Sequence, residues 1–298
     1  MMKKTISQCM IVKNEEKNIR RALSWGKDIM CEQIVVDTGS SDRTVEIARE
    51  MGAKIFSFPW INDFAAAKNF AIDQAKGDWI AFLDADESFT PEDAAKIPEI
   101  LEYVGDDVDG LLTGIVDLDE NNNITSGGTM IRFFVNRPDL RYVGKIHEHL
   151  VRKGRSGLHL TDATKQLAFL HTGYQEQEKK DKSKFERNRN IILEILKQEP
   201  ENCDYLGYLG DTYSSDGKNE EARDAYKKAV AAMPEKLGVY DQRSSYTYTN
   251  LLRVSQCLNA PEAEVEAIYK EAVEKLPKEP DFDCVMGEWY WRKGQYEK

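Results

Sequence analysis

Apolar segments of strand length alternate with helix-forming segments over residues 1–90, and this alternation restricts the possible folds more than any other feature of the chain. The runs at residues 33–36 and 79–83 are apolar throughout, as expected for strands that are covered on both faces. Strands separated by helices join as right-handed βαβ units, so the pattern predicts an α/β fold with a mainly parallel sheet. The predicted strands are 6–12, 33–36, 54–58 and 79–83, and the predicted helices are 14–25, 44–51 and 64–75.

The pattern changes between residues 109 and 174. Short apolar runs, the last of them at residues 167–171, lie among turns that are rich in Gly and Asn. These features predict antiparallel strands and loops that complete the sheet. A charged helix is predicted over residues 179–196 and is expected to act as a connector. The expected organisation is a domain over residues 1–175, a helical connector over 176–201 and a repeat domain over 202–298.

The tail of the chain contains an internal repeat that follows the 34-residue tetratricopeptide pattern. The first copy is marked by Leu206, Leu209, Gly210, Tyr213, Gly217, Ala222, Tyr226, Ala229 and Pro234. A less regular second copy follows, and a third begins near Pro280 and reaches only its first turn at Lys298. Half a repeat leaves an apolar face uncovered, since solenoids end in polar caps. We therefore expect either a chain that is shortened here or a second subunit that covers this end, as in a homodimer formed through the repeat domain.

Composition excludes several classes of function. The formal net charge of -11 argues against non-specific binding of nucleic acid and against docking on anionic lipid. No apolar run approaches the roughly 20 residues of a transmembrane helix, and the basic N-terminus lacks the apolar core of a signal peptide. The five cysteines are scattered and form no Cys-x-x-Cys pair, which is typical of reduced cytosolic thiols. We expect a cytoplasmic protein without a transmembrane segment and without a nucleic-acid partner.

Two carboxylates follow the fourth predicted strand directly, at Asp84 and Asp86. Residues i and i+2 of an extended segment point to the same side, so these two carboxylates can converge on one point. Such a pair suits a hard divalent cation that also holds a diphosphate, and ligands of open α/β sheets bind beyond the carboxyl ends of the strands. The alternative is an acidic loop that precedes the helix predicted to start at residues 90–93.

Four segments, taken in order, resemble the family 2 glycosyltransferases of the GT-A fold. They are MIVKNEE at residues 10–16, VDTGSSD at 36–42, FAAAKN at 64–69 and FLDADE at 82–87. The resemblance covers about residues 5–175, and it implies a Rossmann-like, mostly parallel GT-A domain followed by an all-α tetratricopeptide-repeat domain. Chains with such a tail are similar to lipopolysaccharide-core glucosyltransferases and to the S-glycosyltransferases that modify bacteriocin peptides.

The resemblance implies a nucleotide-sugar site. The loop after the first strand, residues 9–13 with Ile11 and Val12, would offer backbone groups to the base, and Glu15 is a further residue expected to bind the nucleotide-sugar. Asp37 and Thr38 lie where the family recognises a uracil, although many members have a second acid where this chain has Thr38; a turn that caps the next helix is the alternative. Lys68 would meet the diphosphate of a UDP-sugar, or else it is a solvated lysine of its helix. Asp84 and Ala85 complete the predicted contacts with the donor.

The resemblance also implies a divalent cation, Mn²⁺ or Mg²⁺, and a single displacement with inversion at the sugar. Asp86 is the expected direct ligand, Asp84 would contact the metal or the ribose, and His171 resembles a late histidine that completes such a site. Glu87 is expected to cap the turn or to support the ligands. A base must remove the acceptor proton on the opposite side of the sugar, and Glu148 is the first candidate, with His147 as the alternative.

The sequence thus predicts an inverting, metal-dependent glycosyltransferase that moves a hexose from a nucleotide-diphosphate sugar to a peptide or protein side chain. A bacterial surface glycan or lipopolysaccharide is the alternative acceptor. A non-catalytic repeat scaffold is the second alternative, and the intact pair of Asp84 and Asp86 argues against it. A nucleotidyltransferase would need a Gly-rich basic segment in the first loop, which residues 10–16 lack.

Overall fold

The computed structural model describes residues 3–172, 182–238 and 241–297, and at residues 182 and 183 it describes the backbone only. The chain divides into two compact units, Met1–Lys180 and Asp181–Lys298. The predicted boundary at residues 175 and 176 lies outside the described residues. The helix that the sequence assigned to a connector belongs to the second unit, and the three-part division of the chain stays a prediction.

In the described part of the first unit, a nine-stranded sheet has the order β3-β2-β1-β4-β7-β6-β11-β5, with β10 beside β6, and a separate pair is formed by β8 and β9. The strands are β1 Ile6–Val12, β2 Glu32–Asp37, β3 Lys54–Ser57, β4 Trp79–Phe82, β5 Glu87–Phe89, β6 Gly110–Leu118, β7 Ile124–Val135, β8 Leu140–Val143, β9 His149–Arg152, β10 Leu160–Asp162 and β11 Ala168–His171. The helices of this unit are α1 Ile19–Ser24, α2 Thr44–Glu50, α3 Phe64–Asp73 and α4 Pro91–Tyr103.

The first half of the sheet is parallel, as the alternation of strands and helices predicted. Strand β1 lies between β2 and β4 and pairs with both in parallel, with Val12 opposite Asp37 and Cys9 opposite Phe82. The carboxyl ends of these three strands therefore meet at one edge of the sheet. The predicted fold class, a mostly parallel GT-A-like sheet followed by a helical region, is confirmed.

The second half of the sheet mixes directions. Strand β7 is antiparallel to both β4 and β6, as the turn-rich sequence predicted. Strands β10 and β11 instead run parallel to β6, because the chain crosses over before β10 rather than turning back in a hairpin, and β11 continues along the same edge of β6 after a short loop. Strand β11 is antiparallel to β5, and His171 lies opposite Glu87 in that pairing. This crossover brings a residue from the end of the domain back to the edge that follows β4.

The sheet has an apolar layer on each face. Phe133 and Phe134 are consecutive in β7, and the alternation of a strand sends them to opposite faces. Phe133 packs in the cluster beneath α4 with Ile97, whereas Phe134 packs in the cluster beneath α3 with Ile72. Burial on both faces fixes the register of the central strands, and with it the position of the polar residues that follow them.

In its described residues, the second unit has helices as its regular elements: α5 Lys182–Gln198, α6 Cys203–Ser215, α7 Asn219–Ala232, α8 Gln242–Cys257, α9 Glu262–Lys275 and α10 Asp281–Arg292. Helices α6 and α7 approach closely at Gly210, where an added Cβ would lie 2.4 Å from a ring atom of Tyr226. The Tyr226 hydroxyl donates to Asp211 at 2.8 Å. Both Gly210 and Tyr226 are positions of the predicted repeat; the boundaries of the individual repeats stay a prediction. Within the described residues, none of the helices has the length and apolar character needed to cross a membrane.

Candidate functional site

Asp86, which follows β4, and His171, the last residue of β11, face each other. His171 Nε2 lies 3.4 Å from Asp86 Oδ2, and His171 Nδ1 lies 2.8 Å from Asp117 Oδ1. Burial opposes the charge on the ring, but hydrogen bonds to these two carboxylates raise the pKa of His171 to about 9. The backbone carbonyl of Asp86 accepts hydrogen bonds from Thr172, which ties the two segments together. The imidazole is thus oriented by Asp117 so that its other nitrogen faces Asp86.

Asp84 is held by a buried arginine that the sequence analysis did not identify. Arg132 Nη2, on β7, donates to Asp84 Oδ2 at 3.1 Å and also to Glu87 Oε1. The backbone N–H of Asp84 donates to Glu87 Oε2 at 3.0 Å. Burial would raise the pKa of the Asp84 carboxyl, but the charges of Lys68 and Arg132 hold it below its usual range. Burial raises the pKa of Glu87 to about 7, against the opposing effect of Arg132.

Lys68 and Glu148 form a buried ion pair. Lys68 Nζ lies 2.7 Å from Glu148 Oε1, and the two side chains are only 7% and 13% exposed. The ammonium also lies 5.2 Å from the ring centroid of Phe82 and 5.0 Å from that of Tyr142. Burial opposes the charge of Lys68, but Asp84 and Glu148 keep its pKa above the ordinary value. In this structure the lysine expected at the diphosphate therefore contacts the carboxylate expected to act as base.

Lys68, Asp84 and Glu148 line one cavity of about 300 Å³. The other lining residues are Met130, Ile131, Arg132, Tyr142, His147, His149 and Leu150. His147 has a φ of 54°, a left-handed conformation that is rare for a residue with a side chain. Strain of this kind at a cavity wall is typical of functional segments, where surrounding contacts hold the backbone in place.

The segment that carries Glu148 is attached to α3 by the residue next to Lys68. The Asn69 side chain donates to the carbonyl of Tyr142 and accepts from its N–H, both at 2.9 Å. The N–H of Phe64, the first residue of α3, donates to the carbonyl of Lys145 at 2.8 Å. These bonds fix β8 and the loop after it against α3, so that Lys68 and Glu148 meet.

The residues predicted to bind the base form a tight turn. The carbonyl of Val12 accepts from both the N–H and the hydroxyl of Thr38, at 2.9 and 3.0 Å. Asp37 accepts from the N–H groups of Gly39 and Ser40 at 3.3 and 3.0 Å. The Val12 carbonyl is thus occupied, and a nucleotide would have to use other groups of this segment. These bonds close a turn before α2 but do not cap that helix, whose N-cap is Arg43 without a side-chain capping hydrogen bond. Base recognition by Asp37 and Thr38 stays a prediction.

Glu15, Ile11 and Ala85 support this turn and the strand end. The N–H of Glu15 donates to the Thr44 hydroxyl at 2.7 Å, and its carboxylate accepts from Asn18 at 2.9 Å, just before α1. Ile11 packs beside the cluster beneath α3, and Ala85 is buried in the cluster around α1 and α2. Contacts of these three residues with a donor stay predictions.

The three predicted metal ligands Asp84, Asp86 and His171 are not gathered as one set. Throughout residues 3–172, 182–238 and 241–297, the side chains of His, Cys, Asp and Glu nowhere form a group of three that could hold a metal ion. The physical reason is that Arg132 takes one oxygen of Asp84, whereas Asp86 and His171 remain in contact. Two protein ligands are compatible with a cation that completes its shell with diphosphate and water.

Three residues at this site were missed: Arg132, Asp117 and Tyr142. Each comes from a strand far along the chain, so no local motif connects it with Asp84 or Asp86. The available signal was a polar residue within an apolar run, as with Arg132 in β7 and Asp117 in β6. A charged residue in a buried stretch of a strand must have a partner, and here the partners are site residues.

Comparison with known proteins decides the family. The model of the family described as "Glycosyl transferase family 2" matches residues 7–156. The chain belongs to this family. The chain is 32% identical over 231 residues to a TPR repeat-containing protein of Synechococcus elongatus, covering 76% of this chain and 56% of that protein. It is 33% identical over 231 residues to the SPbeta prophage-derived glycosyltransferase SunS of Bacillus subtilis, covering 76% and 53%. The predicted resemblance to family 2 glycosyltransferases with a repeat-containing tail is confirmed.

This family 2 chain spans about half the length of these two curated relatives. Among solved structures, it is similar to S. aureus TarS in complex with UDP-GlcNAc, with a TM-score of 0.48 and 14% identity. That match covers 99% of this chain and 93% of the TarS chain.

Proposed function

We propose that this chain transfers a hexose from a UDP-sugar to an acceptor, with inversion at the sugar and with a divalent cation. The observation that carries the proposal is the convergence of Lys68, Asp84 and Glu148 on one cavity, next to the contact between Asp86 and His171. A buried cation–carboxylate pair in a cavity that follows parallel strands is the arrangement expected for a reaction site rather than for a scaffold.

The residues present fit a divalent cation. Asp86 offers carboxylate oxygen and His171 offers imidazole nitrogen, both of which suit Mn²⁺. The carboxylate of Asp117 contacts the other ring nitrogen and orients the imidazole, as carboxylates behind metal-binding histidines do. A cation bound there would stabilise the negative charge of the departing diphosphate. Asp86 and His171 would hold it, and Asp84 would meet the ribose or the cation.

Glu148 is the proposed base. Its carboxylate would take the proton from the acceptor as the acceptor atom bonds to C1 of the sugar, and the C1–O bond would break with its electron pair leaving on UDP. Lys68 holds Glu148 in one orientation at 2.7 Å. Placing the base in advance removes part of the entropic cost of the displacement. His147, on the same cavity, is the alternative base.

The proposed acceptor is a side chain of a peptide or protein. Support comes from the helical unit attached to the catalytic domain and from the relative named TPR repeat-containing protein, since stacked helical repeats form extended binding surfaces. Self-association through this unit and a cytoplasmic location stay predictions from sequence.

The stereochemistry of the product tests this function directly. The protein would be incubated with UDP-hexoses, Mn²⁺ and candidate peptide acceptors, and the anomeric proton of the product would be followed by NMR. We expect inversion, and we expect Glu148→Gln to lose transfer while it retains UDP binding. Asp106→Asn, at an exposed position outside the cavity lining, is the matched control and should behave as wild type. Retention of configuration, or full transfer by Glu148→Gln, would refute the proposal.

A further inference from the structure

Arg132 is a buried guanidinium at the wall of the cavity. Its side chain is 6% exposed, and its Cζ atom lies 5.3 Å from the ring centroid of Phe169. A buried arginine costs free energy unless its charge is compensated, so ion pairs must stabilise it in this position. Those partners are Asp84, the first acid of the motif after β4, and Glu87 on β5.

The three residues form a closed ring of hydrogen bonds. One nitrogen of Arg132 donates to Asp84 Oδ2 and to one oxygen of Glu87, and the other oxygen of Glu87 accepts the N–H of Asp84 at 3.0 Å. Asp84 is therefore held through its backbone and through its side chain at once. Because Asp84 is also 42% exposed at the side chain, an anchored carboxylate still faces the space that a ligand would occupy.

The ring restricts what Asp84 can bind. Arg132 occupies Oδ2, so a ligand would meet Oδ1. Lys68 is a second cation near this carboxylate, although its ion pair is with Glu148. A carboxylate that already pairs with an arginine and has a lysine nearby competes poorly for a dication, since the positive groups repel the metal, but it still accepts a hydrogen bond from a hydroxyl. Asp86 instead contacts His171, and an imidazole can lose its proton and itself ligate a cation, which a guanidinium cannot do.

We propose that Arg132 is a positioning residue for the sugar-nucleotide: with Glu87 it fixes Asp84 so that one carboxylate oxygen accepts a hydroxyl of the donor. This inference rests on the proposed function. It assigns the two acids of the motif different ligands: Asp84 takes a hydroxyl of the donor, and Asp86 with His171 takes the cation. Arg132 itself acts through Asp84.

Binding of UDP in the presence of Mn²⁺, measured by titration calorimetry on the full chain, tests the inference. Arg132→Lys keeps the charge and loses the planar fork, so we expect UDP to bind about tenfold more weakly. The affinity for Mn²⁺ alone should stay within about twofold of wild type, because Asp86 and His171 are unchanged. Arg20→Lys, at a surface ion pair with Glu50, is the matched control and should bind UDP as wild type does.

A double-mutant cycle separates positioning from a general structural effect. If Arg132 acts through Asp84, then Asp84→Asn combined with Arg132→Lys should bind UDP no more weakly than Asp84→Asn alone. Glu87→Gln, which alters the other carboxylate of the hydrogen-bonded ring, should also weaken the binding of UDP. Circular dichroism would confirm that each variant is folded, and if Arg132→Lys does not fold, Glu87→Gln carries the test.

The inference is overturned if Arg132→Lys binds UDP like wild type, if the losses of the two single variants simply add, or if Mn²⁺ binding falls together with UDP binding. A wild-type protein that binds no UDP at all would refute the proposed function as well. Wild-type binding that is unaffected by Arg132→Lys would refute only the role of Arg132.

Discussion

Replacing Lys68 by Met is the most informative single perturbation of this fold. The change removes the ammonium that lies 2.7 Å from Glu148 and keeps a long apolar stem against the rings of Phe82 and Tyr142. The substitution therefore deletes the charge with little loss of packing. It leaves Glu148, which is 13% exposed, as a mostly buried carboxylate without its counter-ion.

The size of the effect follows from this burial. Breaking a buried ion pair by removing one partner costs about 3–5 kcal/mol, and the access of water to the cavity favours the lower end of that range. For a unit of 150–250 residues, about 3 kcal/mol corresponds to a fall in Tm of about 6–12 °C. Removing both charges, as in Lys68→Met with Glu148→Gln, should restore stability to within about 1 kcal/mol of wild type.

Hydrogen exchange of the amides in β1 and β4, measured at increasing denaturant concentrations, would report the stability of the first unit alone. Lys96→Met is the matched control, since Lys96 is 42% exposed and pairs with Asp93 on the surface, where such pairs contribute about 0–1 kcal/mol. The reasoning would be refuted if Lys68→Met lost no more free energy of unfolding than Lys96→Met. A double variant as unstable as the single one would refute it too.

Two further predictions concern stability. The pKa of His171 is about 6.5 in the unfolded chain and is raised to about 9 in the folded protein. The stabilisation that the protonated ring contributes is therefore complete below about pH 6.5 and is lost as the pH rises through about 9. Urea unfolding of metal-free protein should show this as about 1–2 kcal/mol after solvent screening, and His171→Gln should flatten the curve; a wild-type curve as flat as the variant's would contradict the assignment. Gly210→Ala, with a Cβ 2.4 Å from Tyr226, should destabilise the helical unit by about 1–3 kcal/mol, whereas Gly287→Ala, with nothing within 4 Å, should stabilise it slightly in thermal melts. Equal melting temperatures for the two variants would contradict the packing argument.

The parallel half of the fold was predictable because its signals are local. The apolar run at residues 79–83 corresponds to β4, and the helix predicted at 44–51 corresponds to α2. The direction of β11 was not predictable, since a short strand after a loop carries no signal of the strand it will join. Its parallel pairing with β6 depends on contacts between residues more than 50 positions apart, such as Ala168 with Gly114.

The candidate site likewise has a part that could be predicted from the sequence and a part that could not. The motif residues Asp84 and Asp86 could be found because they follow a strand directly. The contact of Lys68 with Glu148 and the anchoring of Asp84 by Arg132 could not, because they join α3 to the loop after β8, and β4 to β7. Electrostatic compensation of buried charges selects these pairs in three dimensions, and no spacing along the chain records it.

The release of UDP from a panel of UDP-hexoses, measured with Mn²⁺ and with EDTA, tests the central claim most directly. We predict release from at least one donor with Mn²⁺, none with EDTA, and a loss of about 100-fold or more in Asp86→Asn, equivalent to about 2.7 kcal/mol of transition-state stabilisation. The control Asp106→Asn should match wild type. Equal release in EDTA, or an Asp86→Asn variant as active as wild type, would contradict a metal-dependent transfer at this site.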